Sequence, residues 1–312
     1  MSERIPVVID LDGGADGLWG LAVAAAHGDR MELKAVTVCG GRQGAAQAFS
    51  NSASYGALLK LSCPLYRGSE RSVLLKERSQ WKGDGPDGKL GMSLPEPLAY
   101  GEGYAWDAIY REAVAAEGEL QVVCFGPMTN LAIALFKYEE LAPLIKRVIF
   151  VGGSYDYGNI SAAAEVNMAT DPEAARAVFR SGIPKTMVGF NAIRESALSD
   201  EQIRRVMGER LSGELFLQCA AGREKLLSRV CFGAPLGMAA LLEGDLLSWV
   251  RYHLTIETKS SLCRGRTTPL NMYSPRGFEK DTDIAMGVDM ERYVEFLKAA
   301  VERMDVKDIT WI

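Results

Sequence analysis

The sequence predicts an α/β fold: a single domain over residues 1–312, with a mostly parallel central sheet flanked by helices. Three observations predict it. Short strand-like runs such as Val7-Val8-Ile9 and Leu120-Gln121-Val122-Val123-Cys124 alternate with longer helical stretches, the pattern of right-handed βαβ units. Several of these runs end in glycine-containing segments, and open α/β sheets collect ligands in the crevice outside the carboxyl ends of their strands. No Pro/Ser-rich linker or composition break divides the chain, whose length such folds often reach as one unit.

The first strand ends in Asp10-Leu11-Asp12-Gly13-Gly14-Ala15-Asp16-Gly17. Carboxylates set among glycines at a strand end point to a site, because glycine lets the backbone turn sharply and approach a ligand. Leu18 to Ala26 reads as an Ala-rich helix with Asp16 near its start, complementing the helix dipole, and with His27 as a C-terminal cap. Leu33 to Cys39 is a second strand, Ala45 to Leu61 a helix, and Pro64 to Gly68 a short third strand. From Ser69 to Gly103 the period fails, and the turn residues around Trp81 mark a long loop, expected to form a flap near the site.

The alternation resumes with a helix from Tyr104 to Ala116 and a strand from Leu120 to Phe125, which closes in Gly126-Pro127-Met128-Thr129-Asn130. After a further helix, the strand Val148 to Val151 ends in Gly152-Gly153. The segment from Gly158 to Met168 sets Asn159, Glu165 and Asn167 in an apolar run. Buried amides and a carboxylate need hydrogen-bond partners, which sugar hydroxyls or the local backbone can supply. Asp171-Pro172 is a helix start, an N-cap followed by proline at the first helical position. Thr186 to Phe190 reads as a strand, Asp200 to Ser228 as helical, and Phe232 to Ala240 as the opening of an apolar helix. Strand-like segments continue through Thr258, and a helix from Met290 to Arg303 closes the chain.

Composition excludes several classes. With 48% hydrophobic and 24% charged residues the chain matches an ordinary globular protein with material for a core. A formal charge of −5 argues against a nucleic-acid or anionic-membrane partner, which would require a basic surface. Lys259, Arg264 and Arg266 form only a small cluster, expected to be a solvated loop. No apolar leader opens the sequence and no run reaches membrane-spanning length, so a cytoplasmic location is expected. The six cysteines show no CxxC spacing, and with only His27 and His253 available a zinc site or a Ser-His-Asp triad is poorly supplied.

Taken together, the motifs resemble those of the nucleoside hydrolase family. The family opens with D-x-D-P-G-x-D-D, here Asp10-Leu11-Asp12-Gly13-Gly14-Ala15-Asp16-Gly17. Gly126-Pro127-Met128-Thr129-Asn130-Leu131-Ala132 is similar to its G-P-L-T-N-[LI]-A. Gly152-Gly153, Gly158-Asn159, Ala164-Glu165-Val166-Asn167 and Asp171-Pro172-Glu173-Ala174-Ala175 resemble its G-G…G-N…A-E-F-N…D-P-E-A-A block. The resemblance implies a Rossmann-like core and hydrolysis of the N-glycosidic bond of ribonucleosides, with calcium holding the attacking water. By the same resemblance Asp12 is metal ligand and general base, and Thr129 offers its carbonyl to the ion. Asp16, Asn159, Glu165 and Asn167 hold the ribose hydroxyls, and Asp10 orients the cluster.

The departures fall on the metal. The family's second adjacent aspartate is Gly17 here, and its late H-D-P motif is Gly233-Ala234-Pro235, without histidine or aspartate. The asparagine after the second strand is also lost, with Gly41 or Arg42 nearby. Calcium takes about 6–8 oxygens, and its affinity follows carboxylate count, so the sequence predicts weak or absent calcium, with Asp12 and Thr129 the residual ligands. Arg42 and Lys82 are candidates for a replacement cation beside the three aspartates. The alternative functions are a catalytically inactive nucleoside- or ribose-binding homologue and a haloacid-dehalogenase-type phosphatase. The latter would use Asp10 as nucleophile and Asp12 as acid/base, with Thr129, Asp281 and Asp283 imitating its later motifs. Tyr155 and Tyr157 are candidates to stack on a base, and family resemblance implies a homo-oligomer, dimer or tetramer.

Overall fold

Strand β1 (Ile5–Leu11) lies inside the sheet, and the chain winds outward from it in both directions. The computed structural model describes residues 4–41, 44–74, 93–208, 229–270 and 279–304. On one side β1 pairs with β2 (Met31–Val38), which pairs with β3 (Leu65–Arg67). On the other side come β4 (Leu120–Cys124), β5 (Ile145–Val151) and β6 (Lys185–Val188), all parallel. β9 (Thr282–Val288) extends this set in parallel. The long strand β7 (Leu247–Ile256) runs antiparallel to β9, and β8 (Thr267–Leu270) antiparallel to β7. The direction of winding reverses between β1 and β4, the topological switch point at which open α/β sheets bind ligands.

Strand residues alternate between two cores, as a period of two requires. Val7, Ile9 and Leu11 face one cluster with α1 (Ala15–Ala26), α2 (Ala45–Leu58), α9 (Gly233–Leu242) and α10 (Met290–Arg303). Val8, Val122 and Phe150 face the other with α3 (Ala105–Ala115), α4 (Thr129–Lys137) and α6 (Pro172–Phe179). Between α4 and α6 lies the one-turn α5 (Val166–Thr170), and α7 (Phe190–Glu195) and α8 (Asp200–Met207) follow β6. α8 opens on a capping box made by Ser199 and Gln202.

Several boundaries differ from the sequence expectation. α1 begins at Ala15 rather than Leu18, so Asp16 belongs to its first turn. α2 stops at Leu58, and Lys60 turns the chain at φ 51°. β6 ends at Val188, because Gly189 caps a short helix that takes up Phe190. The helical stretch expected to Ser228 is described only to Met207, and residues 209–228 lie outside the described residues. So do residues 75–92 of the expected flap, which include Trp81. His27 does cap α1, with its Nδ1 2.8 Å from the Val23 carbonyl. None of the five described cysteines is in a disulfide. Among the described residues no helix is long and apolar enough to cross a membrane.

Candidate functional site

Asp10 is the last residue but one of β1 and is fully buried on the α4 side. Its Oδ1 accepts from Thr37 Oγ1 on β2 at 2.6 Å and from Asn130 Nδ2 in α4 at 2.7 Å. Asn130 in turn accepts from the Ser69 amide at 2.8 Å, so one side chain ties β1 to the exit of β3. These two donors let the enclosed carboxylate fix the strand end. Burial, reinforced by the charge of Asp10, pushes the neighbouring Cys124 thiol well above its ordinary range.

Asp12 follows on the loop, 2% exposed. Gly41 after β2 and Gly126 after β4 wall it in. A Cβ at Gly41 would lie 2.3 Å from Asp12 Cβ, and one at Gly126 2.9 Å away. Gly41 thus meets Asp12 with backbone alone, and in this conformation it has no room for a side chain. The loop is held from α2, where Asn51 Nδ2 and Tyr55 Oη donate to the Gly13 carbonyl at 3.1 and 3.2 Å.

The Asp16 carboxylate meets the start of α9. Its oxygens accept from the Gly233 amide at 3.1 and 3.2 Å and from the Ala234 amide at 2.9 Å. Behind it, burial and the charges of Asp16 and Cys231 hold the Tyr293 hydroxyl well above its ordinary range. The Thr129 hydroxyl ties α4 to the start of α6, its Oγ1 donating to Asp171 Oδ2 at 2.8 Å. Asp171, read from sequence only as a helix cap, accepts from the Ala174 amide as expected and also from the Val73 amide, at 2.9 Å. It thereby joins α4, α6 and the segment after β3.

The remaining residues come from the segment after β5. Glu165 is the N-cap of α5, and its Oε2 accepts from the amides of Asn167, Met168 and Gly153 at 2.9, 3.2 and 2.9 Å. Gly153 itself sits at φ +72°, a turn that glycine allows without strain. Asn159 Oδ1 accepts from the Val166 amide at 2.8 Å and closes the loop onto α5. Asn167 donates both Nδ2 protons to strand-end carbonyls, Phe125 at 3.0 Å and Val151 at 2.8 Å. Its Oδ1 is buried with no hydrogen-bond partner among the described residues. Phe125 adjoins Gly126, which touches Asp12, so Asp12 and Asn167 flank the same strand end.

The structure thus gathers Asp12, Glu165 and Asn167 around the carboxyl ends of β1, β4 and β5, with Asn159 one loop out. Asp281 lies at the other end of the sheet, before β9, where it pairs with Lys185 at 2.7 Å. This placement, together with the enclosure of Asp10, removes the phosphatase reading. Arg42 and Lys82 lie outside the described residues. Tyr157 is half exposed, with the Arg194 guanidinium 3.9 Å from its ring centre, and Tyr155 leans on Tyr252 at 6.3 Å. Arg264, expected to be solvated, makes a two-pronged ion pair with Glu173 of α6 at 2.6 and 2.5 Å. Thr37, Asn130 and Asp171 are the supporting residues missed from sequence. A threonine within a strand, and an asparagine three residues after a strand-end Gly-Pro, were the available signals.

Fold and site together define a nucleoside hydrolase fold. Over 97% of its length the chain superposes on the purine-preferring ribonucleoside hydrolase of Gardnerella vaginalis, covering all of that chain, at TM-score 0.88 and 24% identity. It matches an inosine-guanosine nucleoside hydrolase over 96% of its length and 99% of that chain, at TM-score 0.88 and 22% identity. The pyrimidine-specific ribonucleoside hydrolase RihB of Escherichia coli (strain SE11) is 28% identical over 278 residues, 85% of this chain and 87% of that protein. The model of the inosine-uridine preferring nucleoside hydrolase family matches residues 7–295, and the chain belongs to that family.

Proposed function

We propose that this protein binds ribonucleosides by their ribose in the crevice between β1, β4 and β5. There it hydrolyses the N-glycosidic bond, with a metal dependence altered from that of its family. The observation that carries the reading is Asn167. Its amide is locked by two neighbouring strand ends, and its buried Oδ1 is left as an acceptor for a hydroxyl. A ribose offers the donors that such an acceptor requires, and a buried acceptor left unpaired costs about 1–3 kcal/mol. Asn159 and Glu165 sit on the same segment, held rigid by its own amides. In this reading Asp12 takes the proton of the attacking water as the sugar passes through an oxocarbenium-like state, and Asp10 keeps the strand end in place.

Binding without turnover is the second reading, favoured by the missing carboxylates at Gly17 and Ala234. A panel of purine and pyrimidine ribonucleosides, assayed for free ribose with and without calcium, separates the two. Ribose release abolished in Asp12→Ala supports hydrolysis; saturable nucleoside binding without release supports the binding-only reading. We also place the protein in the cytoplasm as a homo-oligomer, a dimer or tetramer. Cell fractionation and light scattering on the purified chain test those two points.

A further inference from the structure

We infer that the first amides of α9, at the positions where the family resemblance puts a histidine and a metal-binding aspartate, are the electrostatic partner of Asp16, and that the crevice receives its ligand without calcium. The inference rests on the sugar-site reading only for the crevice's purpose; whether an ion fits is decided by the residues themselves.

The first support is the orientation of Asp16. A helix N-terminus carries about half a unit of positive charge, and its first amides have no intrahelical acceptor. In α9 the N-cap, Phe232, supplies no side-chain acceptor. Asp16 fills that role from α1, with three N–H···O contacts of 2.9–3.2 Å. A carboxylate held this way already has its counter-charge.

The second support is the filling of the positions where the family resemblance implies ligands. A Cβ at Gly233 would lie 2.7 Å from Val151 Cγ1 and 3.2 Å from Asp16 Oδ2, so the histidine of the family motif has no place there. Ala234 is fully buried in the apolar cluster, and a Cβ at Gly20 would come within 2.9 Å of its methyl. At Gly17 an added Cβ would face Leu11 Cδ1 at 3.1 Å. Among the described residues no three His, Cys, Asp or Glu side chains are grouped to hold a metal. Calcium takes about 6–8 oxygens and its affinity follows ligand charge, so this donor set does not fit it.

The test uses the full-length protein stripped with EDTA, and its readouts are calcium binding by calorimetry and hydrogen exchange at the Gly233 and Ala234 amides. No saturable calcium binding is expected up to about 1 mM, the range of the weakest protein calcium sites. Exchange protection at the two amides is expected to be the same with EDTA and with excess calcium. In Asp16→Asn, protection there is expected to fall about tenfold, the order of a charge–dipole contact of this kind. A one-to-one site with Kd below about 1 mM would overturn the inference. So would protection lost on EDTA treatment, or protection unchanged in Asp16→Asn. Should that variant fail to fold, the wild-type comparison with and without EDTA decides alone. None of these readouts depends on ribose release, so failure of the hydrolase reading leaves them intact.

Discussion

Replacing Asn130 by alanine removes the side chain that joins Asp10 to the segment after β3, and the cost follows from the two bonds lost. The Nδ2 donor to the Asp10 carboxylate, at 2.7 Å in a fully buried setting, is a hydrogen bond to a charged group and contributes about 1.5–3 kcal/mol. The Ser69 amide loses its acceptor, and being partly buried adds about 1 kcal/mol. The sum is about 2.5–4 kcal/mol. At about 2.1 cal/mol/K of unfolding entropy per residue, a chain of 312 residues shifts about 1.5 °C for each kcal/mol, so Tm should fall by about 4–6 °C. Asn130→Asp places a second carboxylate against Asp10 and should be worse than alanine. Differential scanning calorimetry on the three proteins measures this. A shift under about 2 °C for Asn130→Ala, or an aspartate variant milder than alanine, would refute the anchoring role of Asp10.

Two further outcomes follow from particular contacts. A Cβ at Gly158 would lie 1.9 Å from the Ala164 carbonyl oxygen, so Gly158→Ala must open the loop that carries Asn159. Nucleoside affinity is expected to drop about tenfold or more, with most of the fold's stability kept; equilibrium binding and Tm on the same sample check it. His27 is buried against Phe296, and burial, with Arg303 and Arg30 nearby, holds its imidazole below the ordinary 6.5 despite the opposing Val23 carbonyl and Asp29. Unfolding lets it take up a proton, so its contribution to stability is complete above about 6.5 and is lost as pH falls from there toward the lowered folded value. Thermal scans from neutral to mildly acid pH should show a steeper decline for wild type than for His27→Gln, and parallel curves would contradict the assignment.

What was legible in the sequence and what was not divide along the range of the interaction. The parallel strands announced themselves through runs of Val and Ile, and their ends through glycine, because period and turn chemistry are local. The segment from Asn159 to Asn167 was legible for the same reason: polar side chains in an apolar run must find partners close by. The antiparallel arm of β7 and β8 reads as strand but not as direction, since pairing with β9 is decided by residues thirty or more positions away. Asp16 is the most instructive case. Its position in the first turn of α1 suggested a dipole interaction with its own helix, yet its carboxylate serves another helix 217 residues on. Nothing in the neighbouring sequence encodes that contact. Gly41 likewise looked like a lost side chain, and only the 2.3 Å approach to Asp12 shows that the backbone fills the space.

The most direct measurement is equilibrium binding of ribonucleosides to the full-length protein in EDTA, repeated after calcium is added. Saturable binding in EDTA, unchanged by calcium and weakened in Asn167→Ala, is the expected result. Binding that appears only once calcium is present would contradict it.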